Sequence, residues 1–518
     1  MMGERRPILG RVQEPRPDGA LATKPALQSH LKASAISGVS WSTFETVCRL
    51  AVQFVSAILM ARLLDPSEFG VFGMLVPFAA LGAPIVEAGL TQALVQRNEI
   101  DDRDACSAFY VNLLFGVLVA AALFTSAPFI ARFYRQPVLT DLARVLAVTF
   151  LVGSTVVVHG ALLYRAFRFR ALSTISIISS SLAAAAAVTA AWNGWGVWSL
   201  VVHNVVHSLS SAALTWCISP WRPRLAFHFD SIRPLLRFGL RLQAALVINL
   251  VFDRLHYLVI GKFYSPAELG YYTRAQAVQQ LPVTNLSGIL TRVAFPVFAR
   301  VASDSAEVGR LLRSALSSAA FLTLPAMTGL AVLAEPLVAA LFGQKWLPCV
   351  PFLQLLCLAG LVVPAQELNL CLILASGRSG MLLRLEIARK ALMGVALLAT
   401  FRLGLSAIAL GYSAALVGSF LLIAHYSGQL AGRRAARQLL QMAPYGAASA
   451  VMAAAAYGLG SLISFPAPVR LIVQILCGGV LYWLLCHWFQ LEGYQNARSL
   501  AGQWLRLRRE QSGERERS

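Results

Sequence analysis

Eight side chains that can carry charge or direct a hydrogen bond interrupt stretches that are otherwise apolar. They are Arg49, Arg241, Arg274 and Arg292, the acids Glu45, Glu87 and Asp253, and Asn285. An ionisable group inside a lipid-spanning helix is costly, so it normally faces a bundle interior or a water-filled cavity. Their types point to two kinds of chemistry. Guanidinium groups grip phosphate oxygens in bidentate fashion. An intramembrane carboxylate suits proton or cation coupling.

Spacing sharpens both readings and leaves alternatives open. Glu45 and Arg49 are four apart on one helix face, with Gln53 and Ser56 continuing near the stripe. They form either a self-neutralising structural pair or a cavity wall whose pair opens to substrate or proton. Glu87 has no basic residue within one turn and follows Pro77 and Pro84, which invite kinks. It is either a coupling site or a residue close to the cytoplasmic surface. Arg241, Asn249 and Asp253 spread over one broad face, from which Arg254 points away. Arg274, Asn285 and Arg292 are separated by 11 and 7 residues and fall almost on one line of a helix that Pro282 bends. Such a row suits an anionic substrate; alternatively, Arg274 and Arg292 are terminal anchors that snorkel to opposite interfaces. Glu367, and Glu386 with Arg389 and Lys390, complete the set as groups that can neutralise one another.

The elements that must position these residues are membrane helices. Of the 518 residues, 57% are hydrophobic and only 13% charged, against about 25% charged in a soluble domain. About fourteen apolar stretches approach the ~20 residues needed to span hydrocarbon. The least certain are 171–191 and 381–401, polar or charged at one end. With the N-terminus inside, roughly 29 Lys and Arg fall on cytoplasmic loops and tails and roughly 7 on the opposite loops, which puts both termini in the cytoplasm. The same asymmetry accounts for most of the net charge of +20 without nucleic acid. The eight Cys form no C-x-x-C pair or Cys/His cluster and read as small buried hydrophobes, not metal ligands.

Two stretches two hundred positions apart say nearly the same thing: Arg62-Leu63-Leu64-Asp65-Pro66-Ser67-Glu68-Phe69-Gly70 and Lys262-Phe263-Tyr264-Ser265-Pro266-Ala267-Glu268-Leu269-Gly270. Asp65 and Ser265 suit a helix N-cap, Pro66 and Pro266 the first helical position, and Glu68 and Glu268 a capping box. The offset holds six spans, so both copies share one orientation and the expected lobes are related by a pseudo-two-fold axis along the membrane normal. The expected organisation is a disordered cytoplasmic tail (1–34), two six-helix lobes (35–220 and 221–430), two further helices (431–495) and a second tail (496–518).

These pieces resemble the polysaccharide-exporter branch of the MOP flippase superfamily, the O-antigen, colanic-acid and exopolysaccharide-repeat flippases. Beyond the first motif the resemblance is carried by Glu87-Ala88-Gly89-Leu90-Thr91-Gln92, Gly196-Val197-Trp198-Ser199, Ile260-Gly261-Lys262-Phe263, Gln280-Leu281-Pro282, Ala294-Phe295-Pro296-Val297 and Gly343-Gln344-Lys345-Trp346, in the family's order. The resemblance implies a central cationic cavity, alternating access, and transport of an undecaprenyl-pyrophosphate-linked oligosaccharide to the periplasmic leaflet of a bacterial inner membrane. It also implies coupling to a proton or sodium gradient. An acid at Glu87 and an Asp at Asp253 carry over from the family. The substrate role of Arg241, Arg274 and Arg292 rests on helix geometry in this chain.

The expectation is therefore an all-α polytopic membrane transporter. Arg49, Arg241, Arg274, Asn285 and Arg292 would meet substrate, and Glu45, Glu87 and Asp253 would couple it to an ion. No metal or cofactor is expected beyond the gradient. Expected partners are the lipid-linked oligosaccharide, membrane lipid, and a polysaccharide polymerase with its chain-length machinery. A cation-coupled multidrug exporter of the same superfamily is the alternative, disfavoured by the intramembrane Arg residues. A glycan-assembly enzyme is disfavoured by the short external loops.

Overall fold

The computed structural model describes residues 24–97, 100–302, 304–462, 467–499 and 502. Those residues form helices and turns with no strand. The chain divides into two compact units, Met1–Gly270 and Tyr271–Ser518.

The first unit holds α1 (Lys24–Leu63), α2 (Pro66–Glu87), α3 (Leu90–Gln96), α4 (Asp102–Tyr134), α5 (Leu139–Ser154), α6 (Val157–Arg165), α7 (Phe169–Trp192), α8 (Trp198–Ile218), α9 (Phe229–Phe263) and the first turn of α10 (Pro266–Val301). α1 lies along α7, α7 along α8, α4 along α5, and α9 against α2 and α4. The helix ends alternate between two sides. On one side, the Arg165 guanidinium donates to the Leu94 carbonyl at 3.2 Å, Trp221 Nε1 to Asp102 Oδ1 at 2.8 Å, and the His228 amide to Ser107 Oγ at 2.9 Å. On the other side, Lys262 lies over the Phe133 ring at 4.4 Å and bonds the Phe133 carbonyl. Before Trp41 only the helical backbone of α1 is described. It begins at Lys24, inside the stretch expected to be tail; residues 1–23 and most of 500–518 lie outside the described residues.

The second unit holds the rest of α10, then α11 (Ser305–Val332), α12 (Ala334–Leu341), a 3₁₀ turn over Gln344–Cys349, α13 (Val350–Gly360), α14 (Val363–Ala375), α15 (Ser379–Thr400), α16 (Leu405–Leu430), α17 (Ala435–Leu462) and α18 (Ala467–Trp488). α17 packs along α11 and α18 along α17. A buried amide network ties α17 inward: Asn369 Nδ2 donates to Gln438 Oε1 at 3.1 Å, Gln438 Nε2 to the Ala424 carbonyl at 3.2 Å, and Ser427 Oγ to Asn369 Oδ1. The helical segment 492–499 folds back on the same unit. There Glu492 takes Arg313 at 2.7 Å, and Asn496 donates to Ser314 Oγ at 2.9 Å. Satisfying such groups internally is what a helix in hydrocarbon requires.

The sequence repeat is a structural repeat. At Asp65 and Ser265 the backbone amide donates to the Glu three residues on, Glu68 at 2.7 Å and Glu268 at 2.9 Å, so both capping boxes form. The two copies also meet, within residues 66–270. A Cβ added to Gly70 would run into the Pro266 carbonyl, and one added to Gly270 into the Pro66 carbonyl. Farther on, Phe167 and Gly377 have positive φ (54° and 72°). They precede Arg168 and Arg378, the N-caps of α7 and α15, with φ, ψ of −81°, 53° and −87°, 57°.

Among the described residues, eleven helices or broken helices are long and apolar enough to cross a membrane. Helices stand at all fourteen expected positions. However, α8, α9 and α15, of 21, 35 and 22 residues, carry more polar or charged side chains and are not among the eleven. The count of fourteen is not reached by this measure.

Candidate functional site

The polar side chains inside the bundle form local clusters, each held by identifiable helix geometry. On α1, Arg49 Nε lies 3.2 Å from Glu45 Oε1, one turn back, and reaches toward Gln53 Oε1 at 3.5 Å. Glu45 also accepts from Ser176 Oγ of α7 at 2.8 Å, so the packing of α1 on α7 fixes the carboxylate. Glu45 is 18% exposed and Arg49 35%. The acid is anchored, while the guanidinium keeps an open side. A phosphate oxygen can approach it there without breaking the ion pair.

Glu87 is the last residue of α2 and half-buried. Ala88 and Gly89 follow in the left-handed region (φ 47° and 67°), which stops α2 and starts α3. The break is pressed against α9: a Cβ on Gly239 would meet the Ala88 carbonyl, and one on Gly89 would lie 2.6 Å from Gly239 Cα. Glu87 therefore sits at a helix end, where the carboxylate lies next to the carbonyl-rich terminus of its own helix.

On α9, Asp253 is exposed and Asn249 half-buried. Arg254 turns away onto the buried Tyr257, 5.4 Å from the ring centroid and 3.4 Å from the hydroxyl, as the spacing predicts. Arg241 lies on the same helix, but its side chain falls outside the described residues.

The predicted line on α10 does not hold as one environment. Arg274 is only 8% exposed, and its guanidinium lies 5.0 Å from the Phe342 ring and 5.2 Å from the Trp346 ring. Asn285 and Arg292 are exposed, and Asn285 Nδ2 donates to the Leu281 carbonyl of its own helix at 2.7 Å. The physical reason is the corner between α12 and the 3₁₀ turn, whose aromatic rings cover the level of α10 where Arg274 stands. Arg274 is thus enclosed by cation–π contacts, unlike the other two members of the row.

The acid–base group that completes the set is joined in the structure. Arg389 of α15 lies 2.8 Å from Glu386 and 3.8 Å from Glu367 of α14, beside the buried Lys390. Sequence reading missed Ser176 as the anchor of Glu45. The signal was there, in Ser173, Ser176 and Ser180, which mark one face of α7 at helical spacing.

The profile of the family described as "Polysaccharide biosynthesis protein" matches residues 59–351, more than half of the chain. The chain belongs to this family. Relatives of this chain include the teichuronic acid biosynthesis protein TuaB of Bacillus subtilis (strain 168). It is 26% identical over 390 residues, covering 75% of this chain and 81% of TuaB. The lipopolysaccharide biosynthesis protein WzxC of Escherichia coli (strain K12) is 29% identical over 341 residues, covering 64% and 68%. Among solved structures, the lipid II flippase MurJ in an inward closed conformation is similar. Its TM-score is 0.71 at 13% identity, over 88% of this chain and 98% of MurJ. At that identity the likeness shows the fold alone: the chain folds as MurJ does.

Proposed function

We propose that this chain is a transporter, not an enzyme. It flips undecaprenyl-pyrophosphate-linked oligosaccharide repeat units from the cytoplasmic to the periplasmic leaflet of a bacterial inner membrane. The observation that carries the reading is the family match over residues 59–351 of an all-helical membrane chain. The names of TuaB and WzxC, and the lipid flippase fold of MurJ, support it.

The mechanism follows from the side chains that remain open. The pyrophosphate is the most strongly charged part of such a cargo, and the polyprenyl tail can stay in lipid. Arg49, with an open side, and Arg292 and Asn285, exposed on α10, are the groups proposed to meet it; Arg241 belongs to the same proposal by its place on α9. Arg274 serves instead as a clamp on the α12 corner. Protonation or cation binding at Glu45, Glu87 or Asp253 would bias inward-open against outward-open states of two six-helix lobes. The asymmetry of basic loops supports cytoplasmic termini. A polymerase and chain-length machinery would take the product.

Deleting the gene should make lipid-linked repeat units accumulate while surface polymer disappears. If lipid-linked units fail to form at all, the step is biosynthetic and the reading falls. In the complemented strain, R49A/R292A should leave the protein in the membrane and abolish export. Normal export by that variant would sink the phosphate assignment.

A further inference from the structure

Two adjoining cavities open at one end of the second unit, where α15 begins and α16 finishes. The larger, about 530 Å³, is lined by Arg378 and Arg384 together with Met381, Leu385, Leu422 and Tyr426. The smaller, about 360 Å³, shares Arg378 and adds the polar Ser305, Ser376 and Gln429. None of the residues named for cargo or ion coupling lines either cavity.

Charge decides what fits. No Asp or Glu lines either cavity. Among the described residues, neither Arg378 nor Arg384 makes an ion pair, a side-chain hydrogen bond or a ring contact, and both are exposed. Arg389, little more than a turn deeper on α15, has two carboxylates. Two uncompensated guanidinium groups at a helix end, beside a wall of Met, Leu and Tyr, match an amphiphile with a phosphate head and a hydrocarbon tail. Leu383 and Ile387, 63% and 61% exposed, extend the apolar surface of α15 past the cavity. Gly380 keeps the floor open, since nothing lies within 4 Å of where its Cβ would stand.

We propose that this end of α15 and α16 is a binding site for an anionic membrane phospholipid. Its phosphate is held by Arg378 and Arg384, and one acyl chain runs along Met381, Leu385 and Leu422. The site is separate from the residues proposed for cargo and stands whether or not the flippase reading does. The cargo lipid carries the same phosphate chemistry, so the test must tell the two sources apart.

The full chain in neutral detergent would be titrated with phosphatidylglycerol, phosphatidylcholine or undecaprenyl phosphate. The thermal unfolding midpoint and the lipid retained after gel filtration would both be read. A ligand that binds the folded state raises the midpoint. Phosphatidylglycerol should raise it by several degrees and co-purify; phosphatidylcholine should do neither. R378Q/R384Q should lose most of the shift and of the retained lipid. G380L, which fills the floor without touching charge, should do the same. R434Q/R437Q, basic losses outside the cavity, should behave as wild type. The proposal is overturned if the two phospholipids act alike, if R378Q/R384Q retains phosphatidylglycerol normally, or if undecaprenyl phosphate alone binds through Arg378 and Arg384.

Discussion

Arg274 and Arg49 show how the same residue type serves two ends. Arg274 packs against both Phe342 and Trp346, so truncating it removes packing and cation–π attraction together. R274A should destabilise the folded chain by about 2–4 kcal/mol, read as a lower unfolding midpoint in detergent. R274K should recover only part of this, because a compact ammonium lacks the planar surface that a guanidinium packs against aromatic rings. Arg49 keeps an open side, so R49A should leave the midpoint nearly unchanged while cutting polymer export at least tenfold. R49K should retain an intermediate level. If R49A instead melts early with full export in the surviving protein, the Glu45 pair is purely structural. The Glu45–Arg49 contact was legible from four-residue spacing. The enclosure of Arg274 was not, because it depends on rings some seventy positions away in a corner that no local periodicity describes.

At the scale of elements, the capping boxes are the clearest case of sequence dictating structure. Asp65, Ser265, Glu68 and Glu268 sit where the backbone amides need acceptors, and both boxes form. E68A or E268A should each cost about 1 kcal/mol, additive to within experimental error if the boxes act independently, as thermal unfolding of the single and double variants would reveal. Gly70 and Gly270 should tolerate far less. A branched side chain at either would overlap a backbone carbonyl that cannot move alone, so G70V or G270V should collapse the yield of monodisperse protein. The helix positions were readable from apolar runs. The interruptions at Ala88–Gly89 and between α13 and α14 were not, since a broken span and a continuous one bury similar apolar length. α8 falls short of a span's apolarity through Ser, His and Asn, and α9 and α15 through charged side chains, so the apolar measure stops at eleven.

For the whole molecule, the basic loops make a topological prediction. A fluorescent protein fused after residue 499 should fold and emit, whereas alkaline phosphatase inserted at 135–138 should be active. The opposite pattern would invert the orientation and with it the direction of transport. The Gly70–Pro266 and Gly270–Pro66 seam has an evolutionary consequence. Each copy of the motif is shaped by its mate, so the duplicated segments cannot drift apart freely at these positions. Grafting one copy from a distant cousin should fail in a chimaera, and grafting both together should rescue it.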